Sequence, residues 1–371
     1  MKKTINVLGF IFFVLTIGCA EKQKKTFDDK YTLNGELEGI ENGTWIYIMF
    51  NNKALDSAQV LENKFTLSGE LKYPKQFDLY IKNTQNYTQI WLEPKTIGFK
   101  AKNGKFDKAK ISGSKSQIES EKLWKPIWEY RKRRDSLSKL ISNDKINDSI
   151  KAKATIGYDK VKKNRLKIEK DFIKNNPNSY VSASTLDFYS TSLSRKTVSE
   201  LYNNFSENIK NSIYGQSVKK FLKLNKNLKI GDKFIDFSMN NEINKEIKLS
   251  DFEGGLVLLD FWASWCGPCI DEYPALKKAY SKFKKDGFEI VSISEDRTKE
   301  RWLKAIEKNK LNWVNLWQED GNKADPYLIY GINGIPDNFL INENGIIVAR
   351  NLRGNKLISE IETNIENNAS R

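Results

Sequence analysis

Residues Leu256 to Cys269 read Leu-Val-Leu-Leu-Asp-Phe-Trp-Ala-Ser-Trp-Cys-Gly-Pro-Cys, and this stretch constrains fold and chemistry more than any other part of the chain. An apolar run of strand length feeds a turn holding two cysteines, and Glu272, Leu276 and Tyr280 continue at helical spacing. Strand, tight turn and helix in that order set the first sulfur beside unpaired backbone N–H groups and the positive end of a helix dipole. Both favour thiolate over thiol. Cys266 is therefore the predicted nucleophile. Cys269, one turn along and more buried, is the predicted resolving thiol, placed to attack a mixed disulfide on Cys266 and release reduced substrate. Gly267 lets the backbone turn tightly, and Pro268 suits a first helical turn because its missing N–H would have been unpaired anyway.

A Cys-x-x-Cys has other uses. A zinc site wants four nitrogen or sulfur ligands, whereas the chain has no His and only three Cys. An inert structural disulfide stays open on the residues alone. For Asp260 a purely hydrogen-bonding role is the alternative to proton transfer, and for Glu272 that of an ordinary first-turn helix acid.

The Asp-Phe-Trp-Ala and Trp-Cys-Gly-Pro-Cys segments resemble the active-site signature of the thioredoxin family nearly letter for letter. The similarity runs from Leu228 to Arg371: Gly334-Ile335-Pro336 fits the family's cis-proline loop and Asn338-Phe339-Leu340-Ile341 its next strand. The resemblance implies an α/β, thioredoxin-like C-terminal domain and a redox disulfide between Cys266 and Cys269, with no metal and no cofactor. It implies that Pro336 lies in cis against the cysteines and presents the backbone of Ile335 to a substrate strand, with Trp265, Gly267 and Pro268 completing the substrate-binding surface. Asp260 matches the buried carboxylate that accepts the resolving cysteine's proton. Glu272, with Pro274 behind it, matches an acidic residue of envelope-anchored thioredoxin-like reductases. An Asp at the end of an apolar strand is expected to have a raised pKa, suited to proton transfer near neutrality. A peroxidase of the peroxiredoxin type would need Thr-x-x-Cys with a nearby Arg, which the stretch around Cys266 lacks. Asp337 departs from the family, where an uncharged residue commonly follows the proline. It is expected either near Cys266, opposing its thiolate or meeting a basic substrate segment, or as a solvent-pointing loop acid.

At 371 residues the chain implies two or three domains. The formal net charge of +15 suggests nucleic acid, but its distribution does not. Residues 228–371 hold 20 basic and 23 acidic side chains, while residues 116–226 hold 24 basic and 12 acidic ones. The excess, including Arg131-Lys132-Arg133-Arg134, reads as a solvated helical surface, with an anionic membrane or acidic partner as the alternative.

Lys2 and Lys3, an apolar run from Ile5 to Ile17, small Gly18 and then Cys19 form a signal-peptide pattern too short for a good spanning helix. A cysteine directly after a small residue resembles the lipobox of bacterial lipoproteins, with Thr16 where Leu is commonest. Residues 1–19 are thus expected to be a lipoprotein signal with lipidation at Cys19, and residues 20–30 a tether. Plain secretion and a short uncleaved anchor are the alternatives, and all three put the redox domain outside the cytoplasm.

Short alternating runs between Asn and Gly breaks, as in Trp45-Ile46-Tyr47-Ile48 and Phe77-Asp78-Leu79-Tyr80-Ile81, predict a small antiparallel β domain over 31–114. It resembles a β domain of unknown function that precedes thioredoxin domains in envelope lipoproteins, and its aromatic residues read as core. Residues 115–227 read as helical, from Leu123, Ile127 and Tyr130 and then Val161, Leu166, Ile168 and Phe172 at helical spacings, with a break at Asn175-Asn176-Pro177. Residues 228–371 form the thioredoxin-like domain, opened by a hairpin around 234–249.

The expected function is a thiol–disulfide oxidoreductase of the cell envelope, a membrane lipoprotein facing the periplasm that reduces disulfide-containing envelope proteins. It would draw on an upstream thiol electron donor and would not bind nucleic acid. The resemblance extends to cytochrome c maturation-like proteins. The alternatives are a partner-binding or assembly lipoprotein with a secondary redox site, and a disulfide isomerase.

Overall fold

A computed structural model of the chain describes residues 29–50 and 53–369. The signal segment, Cys19 and the tether up to residue 28 lie outside the described residues. Among the described residues no helix is long and apolar enough to cross a membrane.

The N-terminal part consists of β1 (Lys30–Glu38), β2 (Trp45–Phe50), β3 (Lys53–Gln59), β4 (Lys64–Glu70), β5 (Lys75–Ile81), β6 (Tyr87–Leu92), β7 (Thr96–Lys102) and β8 (Lys110–Ser112). They make two four-stranded sheets, ordered β4-β1-β7-β8 and β3-β2-β5-β6. Alternate residues point inward, so Leu33, Ile48, Leu79, Ile97 and Phe99 meet in one core. Gly35 is needed there, because a Cβ would lie 1.8 Å from the Phe65 ring. One pairing differs from the expected antiparallel domain: β1 runs parallel to β7, with Leu33 opposite Ile97. The intervening chain is ample for the crossover that a parallel pair requires, and alternation carries no information on strand direction.

The middle part is helical: α1 (Lys115–Ile141), α2 (Asp148–Asn175), α3 (Tyr180–Tyr189), α4 (Arg195–Asn203), α5 (Glu207–Lys210) and α6 (Ile213–Leu224). Ser114, Asn147, Ser179, Ser194 and Ser212 cap five of these helices, each side chain accepting the backbone N–H three residues on. Arg131, Lys132 and Arg133 are exposed on α1, as a solvated face predicts. Ala183, Leu186, Val198 and Phe221 pack together, and Leu328 of the C-terminal domain joins them. The helices therefore sit on that domain through a shared apolar core.

The C-terminal part comprises β9 (Ser238–Asn240), β10 (Glu246–Lys248), β11 (Leu256–Trp262), α7 (Gly267–Phe283), β12 (Phe288–Ser294), α8 (Lys299–Asn309), β13 (Val314–Trp317), α9 (Asp325–Ile329), β14 (Asp337–Ile341), β15 (Ile347–Arg350) and α10 (Gly354–Ala369). The expected hairpin is β9–β10, shorter than its predicted range, on the edge of a seven-stranded sheet ordered β10-β9-β13-β12-β11-β14-β15. Central β11 pairs parallel with β12 and antiparallel with β14, and every one of its residues is buried. Such a strand needs cover on both faces. Leu258 and Trp262 meet α7, α8 and α10 on one face, while Val257, Leu259 and Phe261 meet Tyr327 and Tyr330 on the other. This is the thioredoxin-like domain implied by the sequence.

Candidate active site

The strand β11 ends at Trp262, and four residues later α7 begins with Cys266 as its N-cap. The Cys266 sulfur accepts the backbone N–H of Cys269 at 3.2 Å, the position a serine or aspartate oxygen takes at an ordinary cap. Any negative charge on that sulfur meets the end of the helix that favours anions. The two cysteines are joined as a disulfide, their Cα atoms 5.2 Å apart. Both are nearly sealed from solvent, whereas Trp265 beside them is 58% exposed. Gly267 has open space where a Cβ would stand, and Pro268 occupies the first turn of α7.

The Ile335–Pro336 peptide is cis. Ile335 packs partly buried against the cluster that contains the cysteines. Pro336 lines a small cavity of about 10 Å³ together with Asp260, Cys269, Glu272, Asn338 and Arg353. That is room for no more than about one water molecule.

Asp260 lies on the β11 face that carries Leu258 and Trp262, because side chains alternate along a strand. Its Oδ2 accepts the Ser292 hydroxyl at 3.2 Å, and Ser292 Oγ in turn accepts the indole N–H of Trp313 at 2.9 Å. Burial pushes the Asp260 carboxyl up to about 7. The Ser292 hydrogen bond and the Arg353 cation oppose that rise, while Asp337 and Glu272 add to it. A group that titrates near neutrality in the same small cavity as a thiol is suited to exchange a proton with it. Glu272 Oε2 accepts the backbone N–H of Gly354 at 2.9 Å, which ties the second turn of α7 to the start of α10, so Glu272 is not the first-turn helix acid that was one expectation for it.

The AhpC/TSA family matches residues 230–350, and a domain of unknown function (DUF4369) matches residues 31–119. The thiol-disulfide oxidoreductase ResA of Bacillus thuringiensis (strain Al Hakam) is 32% identical over 123 residues, which are 33% of this chain and 68% of that protein. The chain belongs to the thiol–disulfide oxidoreductases. ResA of Oceanobacillus iheyensis is 34% identical over 128 residues, 33% of this chain and 65% of that relative, so this chain spans less than two thirds of its length. The thioredoxin domain of a thiol-disulfide oxidoreductase from Bacteroides vulgatus is 36% identical over 37% of this chain and 97% of its own, with a TM-score of 0.36.

Among the predicted positions, Asp337 is corrected. It is neither near the Cys266 sulfur nor pointing into solvent. It is buried in β14, where Arg350 grips both carboxylate oxygens at 3.2 and 2.6 Å. Alternation puts it with Phe339 and Ile341 on the sheet face away from the cysteines, while Leu340 faces them. The charge is thus matched inside the fold.

Three residues of this oxidoreductase escaped sequence reasoning. Arg353 donates from Nη2 to the carbonyl of Pro336 and from Nη1 to that of Leu352, bringing a cation to the cavity wall. Asn338 clamps Leu352 through both its amide atoms, which fixes where Arg353 begins. Asp296, fully buried, accepts Ser264 N–H at 2.8 Å and Ser264 O–H at 2.6 Å, pinning the loop two residues before Cys266. The only local hint was an acid two residues past the end of β12. Apart from the bond of Arg353 to its neighbour Leu352, the contacts span 14 to 32 residues of sequence and leave no periodic trace.

Proposed function

We propose that this oxidoreductase is a lipid-anchored protein of the cell envelope that faces the periplasm and reduces disulfides in other envelope proteins. In the reduced enzyme, the Cys266 thiolate attacks one sulfur of a substrate disulfide, forming a mixed disulfide and expelling the other substrate sulfur as a thiolate that takes up a proton. Cys269 then gives its proton to Asp260, with Glu272 as the second base. Its sulfur attacks that of Cys266 and releases the second substrate thiol. Two electrons pass to the substrate, and Cys266–Cys269 is left as the disulfide. A dithiol donor must reduce it again, because an oxidising compartment keeps such pairs oxidised.

The observation that carries this reading is the sulfur of Cys266 at the N-cap of α7, accepting the Cys269 N–H, with an acid of pKa about 7 behind its partner. Support for the reducing direction comes from Gly-Pro between the cysteines and Ile335 before the proline, both of which resemble reducing thioredoxins. Support for the anchor comes from Cys19 after Gly18 at the end of a short apolar run.

The decisive test is Cys269→Ala in cells. The variant is expected to accumulate mixed disulfides on Cys266 with defined envelope proteins, and the wild-type pair to have a potential near that of thioredoxin, roughly −270 mV. No adducts, or a potential near −120 mV, would overturn the reading. Cys19→Ser should move the protein from the membrane to the soluble fraction.

A further inference from the structure

A cleft of about 700 Å³ lies between the redox surface and the rest of the chain. One wall is the active-site edge of the thioredoxin-like domain, with Trp265, Gly334 and Ile335. The facing wall comes from β2, β5 and β6 through Phe50, Gln76, Asp78 and Gln89, and from α3 through Asp187 and Phe188. It is braced against the redox domain. Lys323 Nζ meets Asp187 Oδ1 at 2.7 Å and Lys53 meets Glu319 at 2.5 Å, while within the facing wall the Gln76 N–H donates to the Tyr214 hydroxyl of α6 at 3.0 Å and ties the β domain to the helices.

Resting on the reading of Cys266 and Cys269 as a disulfide-reducing pair, we propose that the β domain and α3 form the second wall of the substrate site. The cleft then binds an extended, unfolded polypeptide segment with apolar side chains beside its disulfide cysteine. The volume lies within the 300–1,000 Å³ range of small-ligand pockets, enough for a short stretch of chain and too little for a folded domain. A folded protein carrying a surface disulfide would collide with the facing wall. The chemistry of the lining points to apolar flanks. Phe188 is 71% exposed and Trp265 58%, two large rings left open to solvent on opposite walls of one cleft. The charges in it are nearly balanced, since Asp78, Asp187 and Glu295 face Arg297 and Lys323, and Asp78 already accepts the Tyr87 hydroxyl at 2.7 Å. No excess charge is left to select a strongly acidic or basic segment.

The test uses the full chain and two substrates, a reduction assay on an unfolded cystine peptide with Leu and Val flanking the cysteine, and one on oxidised glutathione. Phe188→Asp on α3 and Gln89→Lys on β6 change only exposed side chains outside the thioredoxin-like domain. Each is expected to raise KM for the peptide about tenfold with kcat unchanged, and to leave glutathione disulfide reduction as in wild type. An unchanged KM for the peptide in both variants would overturn the proposal, as would an equal loss on both substrates. If one variant fails to fold, the other, from a different part of the chain, carries the same test. Independently, a photoreactive group next to the cysteine of that peptide, held as a mixed disulfide on Cys266 of Cys269→Ala, is expected to crosslink within residues 49–89 or 184–192. Crosslinks confined to residues 228–371 would refute the second wall. Wild-type protein that reduces neither substrate would instead overturn the reductase reading itself.

Discussion

Asp260 and Cys269 line one small cavity, although the carboxylate comes from an inner strand of a seven-stranded sheet and the sulfur from the helix that follows it. The same burial has a cost in stability, which makes the acid's role measurable.

Asp260 has an ordinary carboxyl pKa of 3.8 in the unfolded chain and about 7 in the folded one. Between those values the folded protein holds the extra proton, so this residue's contribution to stability falls as pH rises from about 4 to about 7. The full loss has a ceiling of ~4 kcal/mol, taking 1.36 kcal/mol for each pH unit between the two values. Asp260→Asn is therefore expected to raise the melting temperature at pH 8 and change it little at pH 4. It should also slow disulfide reduction roughly tenfold at pH 8, below the 10²-fold or more typical of a general base, since Glu272 is retained. An equal shift in melting temperature at both pH values would refute the assignment.

Arg353 acts on the site through its neighbours, holding the Pro336 carbonyl and lowering the Asp260 pKa. Arg353→Met should move the midpoint of the pH–rate profile above that of wild type, because the opposing cation is gone. Arg353→Lys is expected to restore the midpoint toward wild type while leaving KM elevated, since a single ammonium replaces a planar fork poorly. A midpoint that stays put in Arg353→Met would show that the cation does not reach the acid.

The Asp337–Arg350 pair should matter for stability. Arg350→Met leaves a buried carboxylate without its partner and is expected to cost about 2–3 kcal/mol in chemical denaturation. That is less than the 3–5 of a fully buried pair, because about a third of the Arg350 side chain meets solvent. Asp337→Leu combined with Arg350→Met should recover most of the loss. If the double variant is no more stable than Arg350→Met, uncompensated charge is not the cause.

Asp296 holds Ser264 and therefore the entry to the cysteine turn. Asp296→Ala removes three side-chain hydrogen bonds, two from Ser264 and one from the Ser294 hydroxyl, and is expected to cost about 3 kcal/mol, with Ser264→Ala costing about half as much. Both variants should slow alkylation of reduced Cys266. Alkylation at wild-type rate in a folded Asp296→Ala protein would separate the loop anchor from the sulfur's reactivity.

Much of this molecule is written locally. The alternation of Phe77, Leu79 and Ile81, the helical spacing from Leu123 onward and the strand–turn–helix grammar around Cys266 are each contained in a short window. Backbone sterics and hydrophobic burial act at that range, so the elements and the nearness of Cys266 and Cys269 were legible from the residues alone. Position across the fold was not. The parallel register of β1 with β7, the turning of Asp337 away from the cysteines onto Arg350, and the arrival of Arg353 at Asp260 from 93 residues away are settled by chain closure and packing. The cleft facing Trp265 belongs to that second group, since its walls come from three parts of the chain that meet only when folded. Charge matching and shape are properties of neighbours in space, and only the tertiary structure decides who those neighbours are.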